Sequence, residues 1–311
     1  MEGYVKVQEN TIDEWYIGYT LEGNIKSKNL VIMVHGGGYD RDENGLYPCK
    51  INNTIKRDNN GKAILISKPY GNYQRLSYEL QARDIDTAIL RIDLRNHGKS
   101  LYNNKMDTRD TLFKRFANDL DSLIEYFINK YNYQNIHIVG TCAGALTTIY
   151  YLANKESPTN IKSLTLVSPL SPMVICTTNP NHGFNYKKNM AILNKEVKQF
   201  TKMKGMFEGI ETLKEAKDNM NIYEKLDKDI PIYYIVSPTD RMIPYDISLS
   251  IIDKLKNYPW FNYIIINSKE IRGNADHCFY DPQSSDKLLT LCTDILTKEI
   301  NKDNKKLKRS I

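Results

Sequence analysis

Gly140-Thr141-Cys142-Ala143-Gly144 sets a thiol between two glycines, directly after the apolar run Gln134 to Val139 and directly before ALTTIYYLA. A sharp strand-to-helix turn forces an unfavourable backbone on its central residue, and small residues two positions to either side let strand and helix approach closely. The turn pushes the central side chain into a cleft and aims the first helical N–H groups at the same point. Cys142 is therefore a candidate nucleophile, and a helix N-terminus favours the reactive thiolate. Free cysteine is also among the most buried residue types, so a core-filling thiol is the competing reading. The flanking glycines argue against it, because they are needed only where the central residue is displayed.

A nucleophile needs a base and an orienter. His277 lies in the polar loop Arg272-Gly273-Asn274-Ala275-Asp276-His277, and Asp240 follows the apolar run Pro231 to Val236. The chain order is nucleophile, acid, histidine, each just past an apolar run, and the ends of parallel strands converge at one edge of a sheet. Asp240 could instead cap the next helix, and Asp276 is a rival acid. Adjacent residues rarely pair as orienter and base, which favours Asp240. His35-Gly36-Gly37-Gly38 follows the first buried run, so the backbone N–H of Gly37, with that of Ala143, would hold a developing oxyanion. Gly38, Tyr39, Met173 and Met242 are expected beside the substrate. His182 falls in a cap region, His137 inside a strand, and His35 and His97 in other motifs.

The elements that must position these residues alternate between short apolar runs and amphipathic stretches, the pattern of a mostly parallel sheet with helices on both faces. Strands are expected at Asn29 to Val34, Thr87 to Ile92, Gln134 to Val139, Lys162 to Val167, Pro231 to Val236 and Phe261 to Ile266. Tyr4 to Val7 and Trp15 to Leu21 look like a hairpin feeding the sheet. Helices are expected over Thr108 to Tyr131, Gly144 to Ala153, Ile247 to Leu255 and Ser285 to Ile300; the first repeats apolar residues at three- and four-residue steps. Two stretches exceed a minimal doubly wound sheet. Pro48 to Asn72 is a polar insertion whose Ala63 to Ser67 segment suits a short strand. Leu170 to Lys225, with five methionines, reads as a helical cap over residues 170–225, its methionines serving packing or an acyl chain. The core is then 1–169 and 226–300, followed by a basic, disordered tail, 301–311.

The chain has 311 residues, 41% hydrophobic and 26% charged, with a net charge of +6 partly carried by the lysine-rich tail. Acids and bases are otherwise mixed, so no nucleic-acid partner is expected. The five cysteines, Cys49, Cys142, Cys176, Cys278 and Cys292, suit neither a disulfide framework nor a CxxC metal site. With no secretory signal and no membrane-spanning run, a cytoplasmic location without membrane insertion is expected. The sequence is also compatible with a homodimer.

VHGGGYDRDENGLY from Val34, RIDLRNHGKS from Arg91, IVGTCAGA from Ile138, VSPTDRMIP from Val236 and the His277 loop together resemble the α/β-hydrolase superfamily, particularly its monoglyceride-lipase-like and serine-aminopeptidase-like branch. The resemblance covers residue 29 to about 280. It implies an eight-stranded sheet, a variable cap, a nucleophile-His-acid triad and no cofactor. The run from Asp93 to Ser100 is similar to the family's D-x-R-G-H-G-x-S stretch. Three departures stand out: cysteine for the usual serine, Asn96 for a glycine, and the insertion. The cysteine is shared with dienelactone hydrolases and polyhydroxyalkanoate synthases. The expectation is an acyl-transfer enzyme passing through an acyl-cysteine and hydrolysing an ester, thioester or lactone, from a small-molecule or carrier-bound acyl substrate. A biosynthetic acyltransferase or cyclase, or a silent binding protein, are the alternatives.

Overall fold

Eight strands form the central sheet of the computed structural model: β1 (Glu2–Val7), β2 (Trp15–Gly23), β3 (Asn29–Val34), β4 (Ala88–Ile92), β5 (Asn135–Thr141), β6 (Ile161–Val167), β7 (Ile232–Val236) and β8 (Phe261–Ile265). The structure describes residues 1–7, 15–37, 41, 46–48, 50–51, 54–55, 65–67, 71–95, 97–102, 112–155, 160–176, 210–226, 229–240, 243–267, 277, 279 and 282–309. The sheet order is β1-β2-β4-β3-β5-β6-β7-β8, with Leu101–Tyr102 as a short extra partner of β2. β1 pairs antiparallel with β2, and β2 antiparallel with β4; from β4 to β8 every pairing is parallel. β3 and β5 are buried along their whole length, which is why they read as continuous apolar runs rather than alternating ones.

Helices cover both faces. α1 (Asn72–Ala82) and α7 (Pro282–Arg309) pack over Val31, Met33, Ile89 and Val139. α2 (Phe113–Tyr131), α3 (Ala143–Asn154) and α6 (Tyr245–Leu255) lie on the opposite face, over Leu30, Ile32, Leu90 and Ile138. α2 buries Phe113, Phe116, Leu120, Leu123, Ile124 and Phe127, each worth about 1.5–3 kcal/mol when fully withdrawn from water. Its C-terminus turns at Asn132, in the left-handed region at φ 59°, a position asparagine tolerates well.

Within residues 170–225, where a cap is expected, the described elements are α4 (Pro172–Cys176), α5 (Ile210–Asp218) and a 3₁₀ turn at Ile222–Lys225; residues 177–209 lie outside the described residues. α5 reaches back to the core through Glu215, whose carboxylate accepts the Phe113 N–H at 2.8 Å and the Lys114 N–H at 2.9 Å. It thereby caps α2, which has no side-chain cap of its own. Burial pushes the Glu215 carboxyl above its ordinary range, with these two N–H groups opposing the rise.

Among the described residues, the polar insertion and its approach hold two small antiparallel pairs, Leu46–Pro48 with Leu65–Ser67 and Lys50–Ile51 with Thr54–Ile55. The strand expected at Ala63 to Ser67 is thus present over Leu65–Ser67. One expectation is corrected: residues 301–309 are not a disordered tail but the last turns of α7. Asp303 is buried with Oδ2 3.6 Å from His137 Nε2, and Asn304 Oδ1 accepts from Asn29 Nδ2 at 3.1 Å. Those two contacts seat the helix against the sheet, while the lysines around them set the composition.

Candidate active site

Cys142 sits between β5 and α3 with φ 50° and ψ −111°, a left-handed backbone that costs a non-glycine residue about 1–3 kcal/mol. Backbone bonds hold it there: Cys142 N–H donates to the Val167 carbonyl at 3.0 Å, and the Cys142 carbonyl accepts Leu170 N–H at 3.1 Å and Leu146 N–H at 3.2 Å. The glycines either side are required by contact. A Cβ on Gly140 would stand 2.7 Å from Ala145 Cα, and one on Gly144 would stand 2.5 Å from the His35 carbonyl oxygen. The thiol is one of three free cysteines among the described residues and is 8% exposed.

Asp240 lies just beyond β7 and His277 between β8 and α7, both buried. His277 Nδ1 is 2.9 Å from Asp240 Oδ2 and 3.1 Å from Oδ1. With the Nδ1 proton donated to the carboxylate, Nε2 becomes the basic nitrogen of the neutral ring. Asp240 Oδ1 also accepts the Ile243 N–H at 2.9 Å. Ile243 precedes α6, whose N-cap is Pro244 with no side-chain cap bond, so Asp240 does not cap that helix. Its rival, Asp276, lies outside the described residues, as do Gly38, Tyr39 and Met242.

The glycine loop after β3 is anchored by His35. Its Nε2 accepts the Leu94 N–H at 2.9 Å, so Nδ1 carries the proton and donates to the Gly36 carbonyl at 2.6 Å. Complete burial pulls its pKa down to about 4, keeping the ring neutral. His97, 5.0 Å away between ring centres, is lowered to about 4 by burial and by His35. Gly37 and Ala143 flank the edge where β3 and β5 end, Ala143 as the first residue of α3.

The Asp93 to Ser100 run makes the neighbouring scaffold. Asp93 accepts the N–H groups of Arg41 at 2.8 Å and Lys99 at 3.0 Å and pairs with Arg41 Nε at 3.2 Å. Arg95 makes two 2.6 Å bonds to Asp119 and lies 4.9 Å over the Trp15 ring. Sequence reasoning missed Arg41, the loop-holding role of His35, and Tyr73, whose hydroxyl lies 2.9 Å from Thr141 Oγ1. Met173 on α4 lines a narrow cleft with Met220, Tyr223 and Ile251 beside α6. Among the described residues no cluster of His, Cys, Asp or Glu is suited to a metal ion, and no helix is long and apolar enough to cross a membrane.

The profile of the α/β-hydrolase fold family matches residues 29–195, more than half of the chain. No curated protein sequence gives a significant match. Among solved structures, Est1E from Butyrivibrio proteoclasticus, solved with ferulic acid bound, superposes with a TM-score of 0.65 at 16% identity over 96% of this chain and 99% of that one. The esterase Pf2001 of Pyrococcus furiosus gives 0.59 at 16% identity over 96% and 93%. The α/β-hydrolase domain-containing protein 10 from mouse gives 0.57 at 13% over 95% and 99%. At these identities the superpositions establish a shared fold.

Proposed function

The chain belongs to the α/β-hydrolase fold family, and on that premise we propose that it is an acyl-transfer enzyme whose nucleophile is Cys142. The observation that carries the reading is the backbone of Cys142, held at φ 50° and ψ −111°. A cysteine that merely fills space has no use for that strain, whereas a displayed nucleophile requires it. The His277–Asp240 pair at the same edge of the sheet supplies a base and its orienter.

In this mechanism His277 Nε2 takes the Sγ proton and the thiolate attacks the acyl carbonyl carbon. The carbonyl π electrons move to oxygen, and the N–H groups of Gly37 and Ala143 stabilise that oxyanion. Collapse expels the alcohol or thiol, which leaves with the proton held by His277, and an acyl-thioester of Cys142 remains. His277 then deprotonates a water, whose attack releases the acid and regenerates the thiol. Substrates are esters, thioesters or lactones, small or carrier-bound. Release to water is preferred over transfer to another acceptor, in line with the esterase Pf2001 that shares the fold.

Intact mass after brief exposure to a panel of acyl esters and acyl thioesters tests this. The parent chain is expected to gain one acyl group that decays in water, and Cys142→Ala to gain none. An adduct of equal size on Cys142→Ala, or none on the parent with any donor, sinks the proposal.

A further inference from the structure

Past the last rung of the β3–β5 ladder, where Gly140 faces Val34, the two chains part. β3 continues into His35-Gly36-Gly37, and β5 ends at Thr141 and gives way to Cys142. The Tyr73 hydroxyl, from the first turn of α1, fills the fork. It lies 2.8 Å from the Val34 carbonyl oxygen, 2.9 Å from Thr141 Oγ1 and 3.2 Å from the Val139 carbonyl oxygen. A phenol has one proton to give and can also accept. Tyr73 therefore donates to Val34, with Val139 as the longer second acceptor, while the Thr141 hydroxyl donates to Tyr73.

Two further features make this a reference point rather than a passing contact. Tyr73 is 2% exposed and Thr141 3%, so water does not stand in for either hydroxyl. The same Val34 carbonyl faces Gly144 at the start of α3, where even a methyl group would overlap it. α1 in turn is fixed from outside the site: Asn72 Oδ1 accepts from Ser285 Oγ at 2.6 Å, and Arg75 Nη1 donates to that Oγ at 2.8 Å. One hydroxyl thus ties the root of the glycine loop to the root of the nucleophile turn.

We propose that Tyr73, with Thr141, is a positioning residue that sets the spacing between the two oxyanion donors, Gly37 N–H and Ala143 N–H; this rests on the acyl-cysteine reading above. Removing the hydroxyl leaves the thiol and its base in place and lets the two donors drift apart. Reactions that build an oxyanion then slow, and reactions that do not are spared.

Tyr73→Phe separates these. Acylation of Cys142 by a 4-nitrophenyl ester is expected to slow about 10- to 100-fold with KM nearly unchanged, part of the loss that follows deleting a whole oxyanion donor. Alkylation of Cys142 by iodoacetamide, which forms no oxyanion, stays at the parent rate. Thr141→Val gives the same split, and Thr141→Ser, which keeps the hydroxyl, restores acylation. Unchanged acylation in Tyr73→Phe, or acylation and alkylation falling together, overturns the proposal. A parent chain that alkylates but accepts no acyl group overturns the acyl-cysteine reading itself, a pattern visible before any variant is made.

Discussion

Gly144→Ala puts the elbow under a defined stress. The added methyl would overlap the Val34 carbonyl oxygen and stand 2.5 Å from the His35 carbonyl oxygen and 2.6 Å from the Val34 carbonyl carbon. Ordinary van der Waals contact begins at 3.4 Å, so α3 and the exit of β3 must separate by more than about 1 Å, and a close-packed interior resists that. Neither side gives easily, since Val34 is fully buried and α3 is buried from Ala143 through Leu152. Overpacking of this kind costs about 1–3 kcal/mol, and a backbone obstruction belongs at the upper end. For a domain of this size each kcal/mol lowers the melting temperature by about 2–4 °C, so a drop of about 5–10 °C is expected. Acylation should suffer more, because a 1 Å misplacement near the reacting atoms costs about 100-fold. Thermal melting by circular dichroism and acyl uptake by intact mass read both effects. A variant that melts with the parent and acylates at the parent rate would refute the role assigned to close strand–helix contact.

Glu215→Ala should lower stability in urea by about 1–2 kcal/mol, the usual loss when a helix N-terminus loses its acceptor, with Glu215→Gln between. No change would mean that water replaces the carboxylate at Phe113 and Lys114. Acid should also weaken the fold: His35, His97 and His137 are each lowered by burial from 6.5 to about 4. The unfolded chain binds those protons first, so stability present above about pH 6.5 is lost as the pH falls toward about 4. Denaturation free energies that stay flat across that window would contradict neutral burial of the three rings.

Legibility in the sequence followed the reach of each interaction. The inner strands could be read because burial on both faces turns them into unbroken apolar runs, as in NLVIMV. The elbow could be read because strand, turn and helix are consecutive. Placing α1 failed for a local reason: two of its five buried positions, Asn72 and Ser77, are polar, so the apolar period is broken. The end of α7 was misread because composition there is dominated by lysines, while Asp303 and Asn304 decide its seat. Long-range partners left no trace. Tyr73 meets Thr141 across 68 residues and Glu215 meets Phe113 across 102, and no period or motif connects such positions.

Main-chain hydrogen bonds link the exits of four neighbouring strands, β5 to β8, beside Cys142. Cys142 N–H donates to Val167 after β5, Ser168 N–H to Ile235 after β6, and Ile266 N–H to Val236 after β8, at 3.0, 2.8 and 2.9 Å. Ser168 is itself left-handed at φ 42°, and two residues further on Leu170 N–H reaches back to the Cys142 carbonyl. Two strained residues on adjacent strand ends therefore hold one another, each at about 1–3 kcal/mol, against the loss of buried backbone hydrogen bonds if either relaxed. Because only main-chain atoms take part in these links, side chains beyond the exits can change without breaking them.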